Sequence, residues 1–287
     1  MRENTQNLNV YEHEIPIGSR LYFGKSAKVK REIEQKASEI LTDEGFSEMV
    51  TPFFSYHQHL SVNATQLLRF SDHANHQISL RADSTVDVVR IALRRLKSDK
   101  GKKWFYIQPV FRYPSSEIYQ IGAELIGESD LSISLKIVAK LLGELGLKPV
   151  LQVSNIEIPH TICEILNLSI DVFERGQIEQ ILAQDVDWLN RLALLKSPEE
   201  IDEVSKIVPK ELVKPLTNLK ELAKASEYEN LRIVPLYYSK MRYYDKLFFR
   251  FLSQNSILAG GGNYEIDGAQ SSGFAVYTDA LIEQLID

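Results

Sequence analysis

The chain has 287 residues, 44% of them hydrophobic and 25% charged, which excludes a disordered polypeptide and is long enough to bury a core without disulfides or metals. A net charge of −6, from 33 basic and 39 acidic residues, is opposite to the balance of a generic nucleic-acid binder. The single cysteine, Cys163, excludes an intramolecular disulfide, and no apolar run approaches the roughly 20 residues of a membrane helix, so the expectation is a cytoplasmic protein.

Apolar residues Ala27, Ile33, Ala37, Ile40 and Leu41 recur at helical spacing, and Gly45 follows as a helix stop. Phe46 to Pro52 then reads as a short strand ended by proline. A helix is expected over Thr85 to Leu96, with Ser84 and Asp87 as a capping-box-like start and Val86, Val89, Leu93 and Leu96 as its buried stripe. The basic run from Arg90 to Lys103 fits a solvated helix end better than a dock for phosphates or an acidic partner.

Two strands follow, Trp104 to Arg112 and Ile118 to Ile126, joined by a turn over Tyr113 to Glu117. A helix from Asp130 to Leu145 and a strand from Pro149 to Ser154 complete the first half. From about His160 to Asn230 the apolar spacing is helical throughout, with a strong helix start at Ser197-Pro198-Glu199-Glu200. Strands return at Leu231 to Tyr238 and Leu247 to Leu252. A glycine loop is expected at Gly260 to Gly262, and Gly273 to Ile286 turns from strand to helix. These elements predict an α+β chain with a mixed, mainly antiparallel sheet flanked by helices, a core over 1–157 and 231–287, and a helical insertion over 158–230.

The strand over 118–126 carries the most chemistry. With period two, Gln120, Gly122, Glu124 and Ile126 share one face, while Tyr119, Ile121, Ala123 and Leu125 share the other. The first face sets an amide and a carboxylate around a glycine that leaves room for a ligand. On the neighbouring strand Tyr106, Gln108 and Arg112 share a face. This pattern fits a ligand floor and a solvated sheet face about equally. Asp83 stands where it can bind an amine or help cap the next helix. Gly260-Gly261-Gly262 lacks the following Lys-Ser/Thr of a phosphate loop and implies a tight backbone passage instead. His57 and His59, or His73 and His76, lack partners at ligand spacing and read as surface histidines, so no metal is expected.

In chain order these pieces resemble the catalytic domain of histidyl-tRNA synthetase, a class II synthetase, and more closely its relatives among the regulatory subunits of ATP phosphoribosyltransferase. Gly45-Phe46-Ser47-Glu48-Met49-Val50-Thr51-Pro52 resembles motif 1, which forms the dimer interface in that family. Leu80-Arg81-Ala82-Asp83-Ser84-Thr85 is similar to the segment whose acid binds the amino group of histidine, and Val110-Phe111-Arg112 to the motif 2 arginine. Gln120-Ile121-Gly122-Ala123-Glu124 matches the strand whose Gln and Glu face histidine. Tyr243-Tyr244 and Gly261-Gly262-Asn263-Tyr264 resemble the histidine-specific signatures, and Gly273-Phe274-Ala275-Val276 resembles motif 3.

The departures are equally specific. The catalytic arginine of the synthetase signature is Ser239 here, and the motif 3 arginine that holds ATP phosphates aligns with Ala280. The motif 2 loop that meets tRNA is reduced to Tyr113 to Glu117, and the chain ends just after motif 3. Each lost preorganised charge costs on the order of 10²–10³ in rate. The resemblance therefore implies a non-catalytic regulatory subunit that needs no cofactor and binds no tRNA. It would form a homodimer through motif 1, assemble with the phosphoribosyltransferase catalytic subunit, and respond to histidine held by Asp83, Arg112, Gln120, Glu124, Tyr244 and Tyr264. The retained Arg112 keeps a second expectation open, a truncated enzyme that adenylates an amino acid or modifies a non-tRNA acceptor.

Overall fold

The computed structural model describes residues 15–96, 102–239 and 243–286. Helix α1, Gly24–Asp43, buries Ile33, Ala37, Ile40 and Leu41. It ends in a Schellman turn: Gly45 takes φ 82°, and Phe46 N–H donates to the Leu41 carbonyl at 2.9 Å. The expected strand over 46–52 pairs only at β1, Ser47–Glu48, which runs parallel to β5, Lys103–Arg112. Beyond it the carbonyls of Thr51, Pro52 and Phe53 turn to Arg81 instead: the Arg81 guanidinium donates to the first two and its backbone N–H to the third.

A small antiparallel sheet follows, with β4 (Gln77–Leu80) between β2 (Phe54–Ser55) and β3 (Arg69–Ser71). The expected helix over 85–96 is regular only as α2, Thr85–Ile91, and continues as a π-helical turn over Ala92–Leu96. Its capping box does not form. The Ser84 hydroxyl accepts from Gln108 Nε2, while the Asp87 carboxylate accepts from Ser55 and Gln58. Val86 and Val89 are buried as the stripe predicts, whereas Leu96 is exposed. In the basic run, Arg90 and Arg94 both reach Asp267, Arg94 through two nitrogens at 2.7 and 3.0 Å; positions 97–101 lie outside the described residues.

The main sheet has eight strands in the order β1-β5-β6-β11-β10-β9-β7-β8. Here β6 is Ser116–Leu125, β7 Val150–Asn155, β8 Leu231–Ile233, β9 Tyr244–Ser253, β10 Ser256–Ile266 and β11 Ala269–Tyr277. Only the outermost pairs, β1 with β5 and β7 with β8, are parallel. Strand β8 stops short of its expected end at Tyr238 because Pro235 removes a donor. The glycine triplet 260–262 lies inside β10, not in a loop. A Cβ at Gly261 would meet the Gly273 carbonyl at 2.6 Å and the Phe249 ring at 2.7 Å, so the tight passage is between paired strands. One face of the sheet is covered by α1, α3 (Leu131–Glu144) and α10 (Thr278–Ile286). Between β7 and β8 the chain is helical in successive short segments, from α4 (Glu157–Leu166) to α9 (Lys210–Ala225), and Ile158, Leu189, Leu212 and Leu219 join the same apolar core as Leu151 and Val153.

Arg81 ties the opening segment to this sheet. It is fully buried and donates to the carbonyls of Thr51, Pro52 and Pro109 and to the Thr51 hydroxyl, at 2.7–3.2 Å. Burial lowers its pKa to about 10, so it remains a cation satisfied by neutral oxygens. Arg81→Met leaves those oxygens dry and unpaired, which costs roughly 3–5 kcal/mol and lowers the thermal midpoint by on the order of 10 °C. Calorimetric melting checks this, and a midpoint unchanged within about 2 °C would show that the network contributes nothing.

Candidate functional site

The face of the main sheet turned away from α1 and α10 is built on small residues. Strand register aligns Arg250 on β9 with Gly260 on β10, Ala275 on β11, Gly122 on β6 and Tyr106 on β5. The adjacent row aligns Phe248, Gly262, Gly273, Glu124 and Trp104. The room that sequence reserves over Gly122 for a ligand is taken by the Tyr106 ring, which a Cβ there would strike. Likewise a Cβ at Gly262 would lie 2.8 Å from the Tyr244 ring, and one at Gly273 would strike the Glu124 carboxylate. Gly260 alone in these rows is open above, with no contact closer than the Phe249 carbonyl at 3.5 Å.

Glu124 is fully buried on this floor. Tyr106 donates to its Oε1 at 3.2 Å and Tyr264 to its Oε2 at 2.6 Å. Burial pushes the Glu124 carboxyl up to about 8, against the hydrogen bond from Tyr264, so the site holds it protonated at neutral pH. The phenols of Tyr106, Tyr243, Tyr244 and Tyr264 are pushed well up by burial and remain hydroxyl donors. Tyr243 packs edge-on against Tyr244 and Tyr264, with centroids at 5.1 and 5.8 Å.

Asp83 enters from the turn after β4. Gln58 fixes that turn: its Oε1 accepts from the backbone N–H of Ala82 and Asp83 at 2.7 and 2.8 Å, and its Nε2 donates to the Asp83 carbonyl at 3.0 Å. Tyr243 donates to Asp83 Oδ1 at 3.2 Å. The other oxygen, Oδ2, is buried with no hydrogen-bond partner among the described residues. Burial raises the Asp83 carboxyl to about 6, opposed chiefly by the Arg112 guanidinium nearby.

Beside these groups lies a cleft of about 270 Å³ with Asp83, Arg112, Gln120, Tyr244, Ser239 and Arg250 in its wall. Four of the six residues named from sequence therefore meet in one cavity. Glu124 and Tyr264 do not line it; they are buried and bonded to each other beside it. Ser239 is a wall residue, and Ala280 packs against the apolar core instead. Positions 240–242, which follow Ser239, lie outside the described residues. A larger, more apolar groove of about 940 Å³ lies between the short helices and β8 and shares Tyr237 with the cleft. The smaller cleft is the candidate site because acid, amide, phenol and guanidinium groups converge there. Sequence reading missed Gln58, Tyr106 as a roof over Gly122, and Arg250. Their roles depend on contacts across strands and turns far apart in the chain, for which no local signal exists.

The raised carboxyls give a signed pH dependence. Folded Glu124 keeps its proton to about 8, whereas an unperturbed glutamate loses it near 4.5. Between those values the folded state binds more protons, so this group's contribution to stability falls as pH rises. Asp83 acts in the same direction only up to about 6. Asp83 and His57 also titrate near the lower end of the window from about pH 6 to 8, so Glu124 is read from the difference between two proteins: wild type loses more stability across it than Glu124→Gln, which is uncharged throughout. Parallel slopes for the two proteins would show that Glu124 is ionised in the fold.

Comparison with known proteins places this geometry. The family model for histidyl-tRNA synthetase matches residues 22–281. The ATP phosphoribosyltransferase regulatory subunit of Wolinella succinogenes is 46% identical, covering 96% of this chain and 97% of the relative, and that of Helicobacter hepaticus is 38% identical, covering 96% and 99%. The crystal structure of an ATP phosphoribosyltransferase regulatory subunit/histidyl-tRNA synthetase from Bacillus halodurans superposes with a TM-score of 0.85 at 21% identity, over 96% of this chain and 84% of that one. The sheet is that of the class II synthetase fold, and the chain belongs to the histidyl-tRNA synthetase family, among the ATP phosphoribosyltransferase regulatory subunits.

Proposed function

We propose that this chain is the regulatory subunit that joins an ATP phosphoribosyltransferase catalytic chain and makes the first step of histidine biosynthesis responsive to histidine. The observation that carries the reading is the cleft: a desolvated Asp83 carboxylate with one oxygen unpartnered among the described residues, set among phenols, an amide and guanidinium groups. That combination suits a small zwitterion with an ammonium group. Asp83 receives the ammonium, while Gln120 and Tyr244 contact the side chain. Glu124, held neutral with Tyr264, sets the orientation of the phenols around the ring.

Adenylation requires cations on the ATP phosphates. With Ser239 and Ala280 at the two arginine positions, we read the chain as a sensor that recognises an amino acid without activating it. The near-complete match in length to the named regulatory subunits, at 46% and 38% identity, supports the same reading. We further propose a homodimer through the motif 1 region, where Val50, Phe53 and Phe54 are exposed on the single chain, a surface that a second copy would cover. The helical segment over 158–230, read as an insertion into the core of 1–157 and 231–287, is then free for a role in assembly. Control works only if histidine binds one assembly state better than another.

Affinity purification of the tagged chain from its own cells, followed by phosphoribosyltransferase assay, tests this. The expected result is a stable complex with the catalytic chain whose activity falls with added histidine, and no histidine-dependent ATP–pyrophosphate exchange by the isolated protein. Exchange above background would establish the adenylating enzyme in place of the regulator. Absence of the catalytic chain from the purified material would sink the proposed partnership.

A further inference from the structure

Arg250 is a cation whose surroundings differ from those of the other buried or paired arginines. Arg81 is satisfied by carbonyl and hydroxyl oxygens, and Arg94 forks onto Asp267. Arg250 is half-buried in the cleft wall. Its guanidinium stacks over the Tyr237 ring at 3.5 Å, and its Nε donates to Gln152 Oε1 at 2.8 Å. Both partners are neutral, and among the described residues no carboxylate lies within ion-pair distance of it. Burial lowers its pKa, the sign of a charge held without a counter-ion.

Its position is equally specific. Register sets Arg250 beside Gly260, the one open glycine of the floor, with Ala275 and Gly122 beyond. At roughly 4.8 Å per strand, Arg250 stands about 10 Å from Ala275 across that bare strip. Arg112 stands on the far side, on β5, with β6, β11 and β10 between the two, and it acts on Asp83. Arg112 donates to the Ala82 carbonyl and acts on Asp83 only through space, Glu124 is neutral, and Arg250 is the cation at the opposite, β9 end of the strip. The stack on Tyr237 and the bond to Gln152 fix the plane of the guanidinium and occupy Nε, leaving the terminal nitrogens for a planar two-oxygen acceptor.

We propose that Arg250 is the anion-binding end of the cleft and takes the carboxylate of the bound amino acid. This rests on the amino-acid reading of the cleft and adds to it the residue that separates an amino acid from its carboxylate-free analogues.

The test is calorimetric titration of the full chain with L-histidine and with L-histidinol, which carries a hydroxymethyl group in place of the carboxylate. Wild type is expected to prefer histidine by about 10- to 100-fold, the scale of one charge-assisted hydrogen-bonded pair. Arg250→Gln abolishes that preference while its histidinol affinity stays within about twofold of wild type, which also shows that the variant is folded. Arg250→Lys, a point charge without the fork, retains a reduced preference and decides the matter if the Gln variant binds neither compound. An undiminished preference in these variants, or equal binding of the two compounds by wild type, overturns the assignment of Arg250 and leaves the amino-acid reading standing. Failure of wild type to bind either compound overturns that reading and this inference with it.

Discussion

The structure turns on a strip of sheet with almost no side chains. Gly122, Gly260, Gly262, Gly273 and Ala275 lie in two adjacent register rows across β6, β11 and β10, and any larger residue at three of them would collide with a tyrosine ring or with Glu124. A sheet built this way is hollow on one face. The hollow admits Tyr106 and Tyr244 lying over the backbone, and it lets a glutamate be buried without an ionic partner. Desolvation then keeps Glu124 protonated and the phenols neutral, so the charged groups left at the cleft are Asp83 and the two arginines.

From that arrangement the functional reading follows by subtraction. On the proposed reading, a buried acid and flanking phenols would recognise a small polar molecule, while the positions aligned with the synthetase arginines carry a cleft-wall serine and a core-packed alanine. Recognition without phosphate chemistry is what a regulatory subunit requires. The precision of the site is supplied from outside the sheet: Gln58 fixes the Asp83 turn, and Arg81 locks the segment 51–53 to β5 by way of neutral carbonyls. Neither residue touches the cleft, yet Asp83 cannot be placed without both.

Much of this was legible in the chain. Period-two alternation put Gln120, Gly122 and Glu124 on one face, and the structure keeps them there, although Gln120 lines the cleft and Glu124 lies behind its wall. Helices ended by Gly45 and started by Ser197-Pro198 carry strong local signals, and both form: a Schellman turn at one, a capping box at the other. The glycine triplet misled because glycine usually interrupts strands; here the crowding between β10 and its neighbours requires it. Ser84 and Asp87 resembled a helix cap, but Gln108 and Gln58, distant in sequence, claim both side chains. Arg250 was invisible for a similar reason. Its meaning depends on register across five strands and on the absence of an ion-paired acid among the described residues.

The account stands or falls on whether the open floor at Gly260 is where the amino acid lies. Gly260→Leu places a side chain into the cleft without removing any polar group, and the nearest atom to its Cβ is at ordinary contact distance. Titration of L-histidine into wild type and this variant, at matched thermal midpoints, is the direct measurement. The prediction is one histidine bound per wild-type chain and none by the variant. Equal binding by the two proteins would place any histidine site elsewhere and contradict the reading of this cleft.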